Sequence, residues 1–189
     1  MFRYQCHLVK LEDLSLDLKG KYTYANEEQV GRAIAESGVA REDLFLVTKV
    51  WMNHGDEEGV AKSIDESLRK LQTDYVDLLL VHHPYGDYYS IYRAMEKAYE
   101  QGKARAIGLS NFYDARFTDL VYHTGVVPAV NQLETNVFSQ QDGMREQLAE
   151  SDTRLMAWGL IIFYPKIFSE TDFDLLFNFS VSPRTPRLQ

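Results

Sequence analysis

The chain has 189 residues, of which 20 are basic and 28 acidic, so its formal net charge is -8 at neutral pH. Hydrophobic residues make up 45% of it and charged residues 25%, which is typical of a globular domain and argues against disorder of the whole chain. The acidic balance argues against nucleic acid as a partner, and the absence of a long apolar run argues against a membrane span. The one cysteine, Cys6, excludes an intramolecular disulfide framework. We expect one domain over residues 1–189 and a cytoplasmic location.

Helical and strand patterns alternate through the middle of the sequence. The first helix is predicted over residues 26–37, because Asn26 is a capping residue, acidic residues fill the first turn and Gly38 follows. The elements predicted after it are, in chain order, strand 44–50, helix 56–71, strand 76–81, helix 91–101, strand 104–109, helix 113–123, strand 129–133, helix 143–151 and strand 155–158. Strand 76–81 is apolar on both faces, as in a parallel sheet covered by helices.

Repeated strand–helix units build either an open doubly wound sheet or a closed barrel. The doubly wound sheet of a dinucleotide-binding protein should carry G-x-G-x-x-G after its first strand, and this sequence has no such motif. Polar residues instead stand at the ends of successive strands, where a barrel places its functional groups: Lys49, His82, Ser110, Asn111 and Gln132. We therefore predict an α/β fold, a (β/α)8 TIM barrel of which five βα units are clear and the rest incomplete.

Two adjacent histidines, His82 and His83, raise the question of a metal site. Successive residues of a strand point to opposite faces, so at most one of the two rings is expected to face the barrel interior. The sequence offers no second cluster of histidines or carboxylates. A metal-dependent barrel hydrolase is therefore the least favoured function, and no metal is predicted.

Six short motifs at strand ends and helix starts resemble, in order, those of the aldo-keto reductases. They are Tyr24-Ala25-Asn26-Glu27, Thr48-Lys49-Val50-Trp51, Asp77-Leu78-Leu79-Leu80-Val81-His82-His83-Pro84, Gly108-Leu109-Ser110-Asn111-Phe112, Val130-Asn131-Gln132-Leu133-Glu134 and Met156-Ala157-Trp158-Gly159. The resemblance covers about residues 22–160. It implies a barrel that transfers a hydride between NADP(H), or NAD(H), and a small aldehyde or ketone.

The resemblance also implies roles for three catalytic residues. Tyr24 matches the proton donor, Lys49 the ammonium that favours the ionised form of that tyrosine, and His82 the imidazole that orients the carbonyl. Packing is the alternative role for Tyr24. Lys49, which follows an apolar run, could alternatively lie in solvent beyond its strand.

The cofactor and substrate positions follow from the same motifs. The residues that match groups binding the nicotinamide amide are Ser110, Asn111 and Gln132, for which capping of turns and strand ends is the alternative role. Trp158 matches the ring that stacks on the nicotinamide, and Trp51 matches part of the substrate pocket. Core packing is the alternative for both tryptophans.

The two ends of the sequence depart from the family pattern. Lys19 occupies the position of the aspartate that pairs with the lysine in the family. Residues 182–185 resemble only faintly the element that meets the 2′-phosphate, in which Arg184 and Thr185 would make the contact. We therefore expect either a reductase altered or truncated at both ends, by frameshift or misjoined reading, or a short natural relative. The alternative function is a non-catalytic barrel that binds a partner, and an incomplete barrel is expected to self-associate through its open edge.

Overall fold

The computed structural model describes residues 26–52 and 56–159. Within them, one sheet has its strands in chain order: β1 Val47–Val50, β2 Leu78–Val81, β3 Ile107–Ser110, β4 Val130–Glu134 and β5 Arg154–Trp158. The helices that alternate with these strands are α1 Glu27–Ser37, α2 Glu57–Leu71, α3 Tyr88–Glu100, α4 Asp114–His123 and α5 Asp142–Glu150, with a short 3-10 helix, Arg41–Asp43, before β1. The pairings from β1 to β4 are parallel. The strands follow one another in chain order without the reversal of a doubly wound sheet, as expected for the predicted α/β barrel class.

The register of the sheet sorts the side chains onto two faces. Partner residues of adjacent strands share a face, and successive residues alternate between faces. One face packs against the helices and contributes to the hydrophobic core, through Val50, Leu79, Val81, Ile107, Leu109 and Leu133. The opposite face, which we call the inner face, carries Val47, Lys49, Leu78, Leu80, Gly108, Ser110, Val130 and Gln132. The polar residues of the inner face therefore gather near the carboxyl ends of the strands.

The helices are positioned by apolar stripes and by their caps. The buried residues of α2 are Val60, Ile64, Leu68 and Leu71, which form one apolar stripe along the helix. Helix α1 ends as predicted at Gly38, which has a φ of 68°, but the side chain of Asn26 makes no capping hydrogen bond. The left-handed conformation at Gly38 suits glycine and stops the helix.

Helix α3 begins earlier than the sequence indicates. The prediction began this helix at Ile91, where the apolar period starts, whereas the helix begins at Tyr88. Asp87 explains the difference, because its carboxylate accepts hydrogen bonds from the Ser90 backbone N–H at 3.0 Å and from the Ser90 hydroxyl at 2.6 Å. The cap, not the apolar period, sets the start of the helix.

The described residues divide into two compact units. The first contains the described residues up to Leu133 together with Gln141–Met156, and the second contains Glu134–Gln140 and residues 157–159. The polar ends of β1, β2 and β3, and Gln132 of β4, all belong to the first unit.

Candidate active site

The inner face brings together polar side chains from neighbouring strands. Lys49 pairs in register with Leu80, two residues before His82, and Ser110 pairs with Gln132. The backbone N–H of His82 donates to the carbonyl of Val50 at 3.0 Å, so the chain beyond β2 remains beside β1. Lys49, His82, Ser110 and Gln132 thus lie along one edge of the sheet, as the sequence led us to expect.

The electrostatics of this edge are set by burial and by one ammonium group. Burial lowers the pKa of Lys49 below its usual value. The pKa of His82 is lowered to about 3, chiefly by burial, further by the positive charge of Lys49, and also by His83 when that ring is protonated. His82 is therefore neutral near pH 7, where it can orient a carbonyl through a ring N–H but cannot act as an imidazolium acid.

Two aromatic rings contact the ring of His82. The ring of Trp51 meets His82 edge to face, with centroids 4.7 Å apart, and His82 stacks on His83 at 4.4 Å with 14° between the ring planes. Tyr85 in turn stacks on His83 at 5.5 Å. The expectation that the two histidines point to opposite faces is wrong. Because β2 ends at Val81, both follow the strand, where side-chain alternation no longer applies.

Asn111 ties three strand ends together from a left-handed backbone conformation, with a φ of 64°. Its backbone N–H donates to the Gln132 carbonyl at 2.9 Å. Its side-chain Nδ2 lies 3.2 Å from the His82 carbonyl, 3.2 Å from His83 Nδ1 and 3.1 Å from Ser110 Oγ. Asparagine is among the few residues that tolerate this backbone conformation, so the residue type suits the turn.

Gln132 carries the observation that points to a ligand. Its Oε1 is buried, and among the described residues it has no hydrogen-bond partner. A buried acceptor without a partner is costly, and most such atoms in native proteins are satisfied. An amide N–H donor, such as the carboxamide of a nicotinamide ring, would satisfy it, so the residues at this edge fit that group.

A comparison with protein families decides the assignment. The model of the Aldo/keto reductase family matches residues 16–163, which is most of the chain. The chain belongs to this family.

Curated relatives of this aldo/keto reductase chain agree with the family match. It is 40% identical over 138 residues to an aldo-keto reductase of Mycolicibacterium smegmatis, covering 71% of this chain and 50% of the relative. It is 43% identical over 136 residues to the glyoxal reductase of Bacillus subtilis, covering 71% of this chain and 49% of the relative. The chain therefore spans about half the length of these curated relatives.

Solved structures resemble the aldo/keto reductase chain as well. A crystal structure of an aldo/keto reductase from Brucella melitensis superposes with a TM-score of 0.73 at 37% identity, covering 84% of this chain and 62% of the other. A Bombyx mori aldo-keto reductase crystallised in complex with NADP superposes with a TM-score of 0.70 at 34% identity, covering 77% and 52%. Both agree with the barrel fold class.

The remaining predicted site residues of the aldo/keto reductase chain are not all in the first unit. Trp158 is half-buried in the second unit, where its carbonyl accepts from the Thr135 N–H at 3.0 Å. Tyr24, Lys19, Arg184 and Thr185 lie outside the described residues. Their roles remain predictions from the resemblance.

The sequence raised His83 only as a possible metal ligand and gave it no role beside the cofactor, yet it contacts the predicted residues directly. Its ring touches those of His82 and Trp51, and its Nδ1 meets the Asn111 amide. The position of His83 in the sequence could have indicated these contacts. It is the second residue after the end of β2, where two successive rings can lie on the same side of the chain.

Over residues 26–52 and 56–159, no group of three or more histidine, cysteine or carboxylate side chains is arranged to hold a metal ion. In the same part of the chain, no helix combines the length and the apolar character needed to cross a membrane.

The depressed pKa of His82 leads to a prediction about stability. The folded state takes up this proton only near pH 3, whereas the unfolded state takes it up near pH 6.5. The unfolded state therefore binds more protons between these values, and the free energy of unfolding should fall by up to about 1.4 kcal/mol per pH unit as the pH falls through this window. Urea unfolding of the parent and of His82→Gln at several pH values measures it.

The variant His82→Gln should lose this part of the pH dependence. A second check is the imidazole NMR titration of Lys49→Met, in which loss of the ammonium should raise the pKa of His82. An unchanged pKa in that variant, or a pKa near 6.5 in the parent, would contradict the prediction.

Proposed function

We propose that this chain binds a nicotinamide dinucleotide, NADP(H) or NAD(H), at the carboxyl ends of its strands and directs the reduction of a small aldehyde or ketone. The observation that carries the proposal is that Oε1 of Gln132, beside Ser110 and Asn111, is buried and has no hydrogen-bond partner within residues 26–52 and 56–159. The similarity to a glyoxal reductase supports a small carbonyl substrate, and the similarity to a reductase crystallised with NADP supports the cofactor.

The hydrogen-bond donors and acceptors of the proposed binding residues complement those of the nicotinamide carboxamide. Gln132 Oε1 would accept from the carboxamide N–H. Ser110 Oγ accepts from Asn111 Nδ2 at 3.1 Å, so its hydroxyl proton can be donated to a carbonyl oxygen. We propose that Trp158 stacks on the nicotinamide ring and that Arg184 and Thr185 meet the 2′-phosphate, as the resemblance implies.

The catalytic residues act on the substrate oxygen. When bound, the nicotinamide supplies the hydride for the carbonyl carbon. The substrate oxygen becomes negatively charged as it reacts, so a proton donor and a positive field must face it. We propose that Lys49 provides the field, that neutral His82 orients the carbonyl through a ring N–H beside Trp51, and that Tyr24 donates the proton.

Nucleotide binding tests the proposal through Gln132. Gln132→Leu keeps a side chain of similar size but removes the acceptor, so it should weaken the binding of both NADPH and NADH about three- to tenfold, the effect of losing one hydrogen bond. Quenching of tryptophan fluorescence during titration with each nucleotide measures the affinities. The matched control is Gln147→Leu, because Gln147 bonds to Thr118 and Asp114 on the helices and should not affect binding.

The outcomes separate the candidate functions. A parent chain that binds neither nucleotide contradicts the proposal, and so does a Gln132→Leu variant that binds as tightly as the parent. Nucleotide binding without reduction of any test aldehyde would instead favour the non-catalytic barrel.

A further inference from the structure

His83 occupies a position that the proposed mechanism does not use. Its half-buried ring is held between the rings of His82 at 4.4 Å and Tyr85 at 5.5 Å, with Trp51 against it at 5.5 Å. Its Nδ1 lies 3.2 Å from Nδ2 of Asn111, which is carried on the neighbouring strand end. The ring is thus fixed by stacking and has one hydrogen-bonding atom facing a proposed cofactor residue.

The direction of this hydrogen bond follows from the neighbouring acceptor. Asn111 Nδ2 also lies 3.2 Å from the backbone carbonyl of His82, and a carbonyl can only accept. The amide group must therefore present its nitrogen, not its oxygen, toward β2. Since that nitrogen donates, His83 Nδ1 must accept, and the ring proton of neutral His83 must reside on Nε2.

This bond fixes the orientation of the Asn111 amide. An asparagine amide can rotate to exchange its oxygen and nitrogen, and hydrogen-bond partners choose between the two arrangements. With the two protons of Nδ2 shared among His83 Nδ1, the His82 carbonyl and Ser110 Oγ, Oδ1 is fixed at the opposite edge of the planar amide group. An imidazolium or an Nδ1–H tautomer at His83 would instead place a donor against Nδ2 and repel it.

We propose that His83 is a positioning residue for the nicotinamide site, accepting a hydrogen bond at Nδ1 from Asn111 and so fixing the amide that receives the cofactor. The role rests on the proposed function, because it matters only if Asn111 binds the nicotinamide. Burial and the Lys49 ammonium lower the pKa of His83, which helps to keep the ring neutral and able to accept.

The tautomer of His83 is the first test and does not depend on cofactor binding. The full chain, labelled with nitrogen-15 at its 5 histidines, should show one ring with a protonated Nε2 and an unprotonated Nδ1 near pH 7. The signal is assigned to His83 because it disappears in His83→Asn. An Nδ1–H tautomer, or a charged His83 ring at this pH, would overturn the inference while leaving the proposed function intact.

Two substitutions then test the role in binding. His83→Phe keeps a stacking ring but removes the acceptor, and should weaken NADPH binding about three- to tenfold. His83→Asn places an amide oxygen close to the position of Nδ1. Unlike His83→Phe, it should therefore bind NADPH with an affinity within about twofold of the parent's. His123→Asn on α4 is the matched histidine control and should leave the affinity unchanged.

A second ligand separates positioning from general damage to the fold. The nucleotide 2′,5′-ADP lacks the nicotinamide, so its affinity should be the same in the parent and in His83→Phe. Equal loss for 2′,5′-ADP and NADPH, or failure of His83→Asn to restore NADPH binding, would overturn the proposed role. A parent that does not bind NADPH would refute the proposed function and this role with it, and the tautomer would still show whether the bond exists.

Discussion

Replacing Lys49 by methionine is expected to slow carbonyl reduction by about 10²-fold or more, the usual effect of removing one electrostatic group from a reacting site. The ammonium lies on the inner face beside His82, and its field is strong enough to contribute to the lowered pKa of that ring. Methionine fills a similar volume without the charge, so the fold should be retained. Steady-state reduction of a small aldehyde by the parent and the variant measures the effect.

The role of Lys49 can be separated from simple charge removal by a second substitution. If Lys49 acts by favouring the ionised form of Tyr24, the double variant Tyr24→Phe, Lys49→Met should be no slower than the slower single variant, because residues that act as a unit are not additive. Lys62→Met, which removes an exposed ammonium paired with Glu58 on α2, is the control and should keep the parental rate. Additive losses, or a parental rate in Lys49→Met, would contradict the assignment.

The architecture was predictable because it depends on patterns that repeat. The continuous apolar run that becomes β2 and the helical apolar stripe of α2 both mark buried surfaces, so their location in the chain could be read directly. The start of α3 was not predicted, because it depends on two hydrogen bonds that the Asp87 carboxylate accepts from Ser90 and not on the apolar period. Local polar contacts of this kind leave a weaker signal in sequence than burial does.

The placement of several predicted site residues at one edge of the sheet could be expected from the sequence, but their contacts could not. The ends of parallel strands meet at one edge, so Lys49, His82 and Gln132 could be expected to gather there. The stacking of His83 on His82 could not be expected from strand alternation, because the residues that follow a strand adopt their own backbone conformation. The amide of Asn111 illustrates the same limit, since three acceptors from two strand ends determine its orientation.

Asp77, a buried carboxylate at the amino ends of the strands, is expected to contribute more to the free energy of unfolding than any other side chain considered above. Asp77 directly precedes β2 and is only 4% exposed. Its two oxygens pair with Arg41 at 2.9 Å and with Arg105 at 3.1 Å, and it also accepts from the Leu46 N–H at 2.9 Å. Both guanidinium groups lie over the ring of Tyr75, at 4.1 and 4.2 Å from its centroid.

Removing this carboxylate should be costly because its partners remain. Asp77→Ala leaves the mostly buried guanidinium of Arg41 without its counterion and the Leu46 N–H without its acceptor. The guanidinium keeps its hydrogen bonds to Thr73 and to the carbonyls of Leu44 and Tyr75, so the loss in the free energy of unfolding should lie near the lower end of the about 3–5 kcal/mol that breaking a buried ion pair costs. A small domain has only about 5–15 kcal/mol in total, so the variant should unfold at much lower urea concentration. Asp77→Asn, which keeps an oxygen for the Leu46 N–H, should lose less.

An exposed aspartate provides the comparison that makes the test specific. Asp65 pairs with Lys103 at 2.6 Å but is 57% exposed, so Asp65→Ala should lower the free energy of unfolding by less than about 1 kcal/mol.

Because Asp77 lies before β2 while Lys49 and His82 lie near the carboxyl ends of their strands, the folded fraction of Asp77→Ala should bind NADPH with the affinity of the parent. Equal urea midpoints for the two alanine variants would show that the buried cluster contributes no more than a surface pair. Loss of nucleotide affinity in folded Asp77→Ala would show that the two ends of the sheet are coupled, which the separation of their contacts argues against.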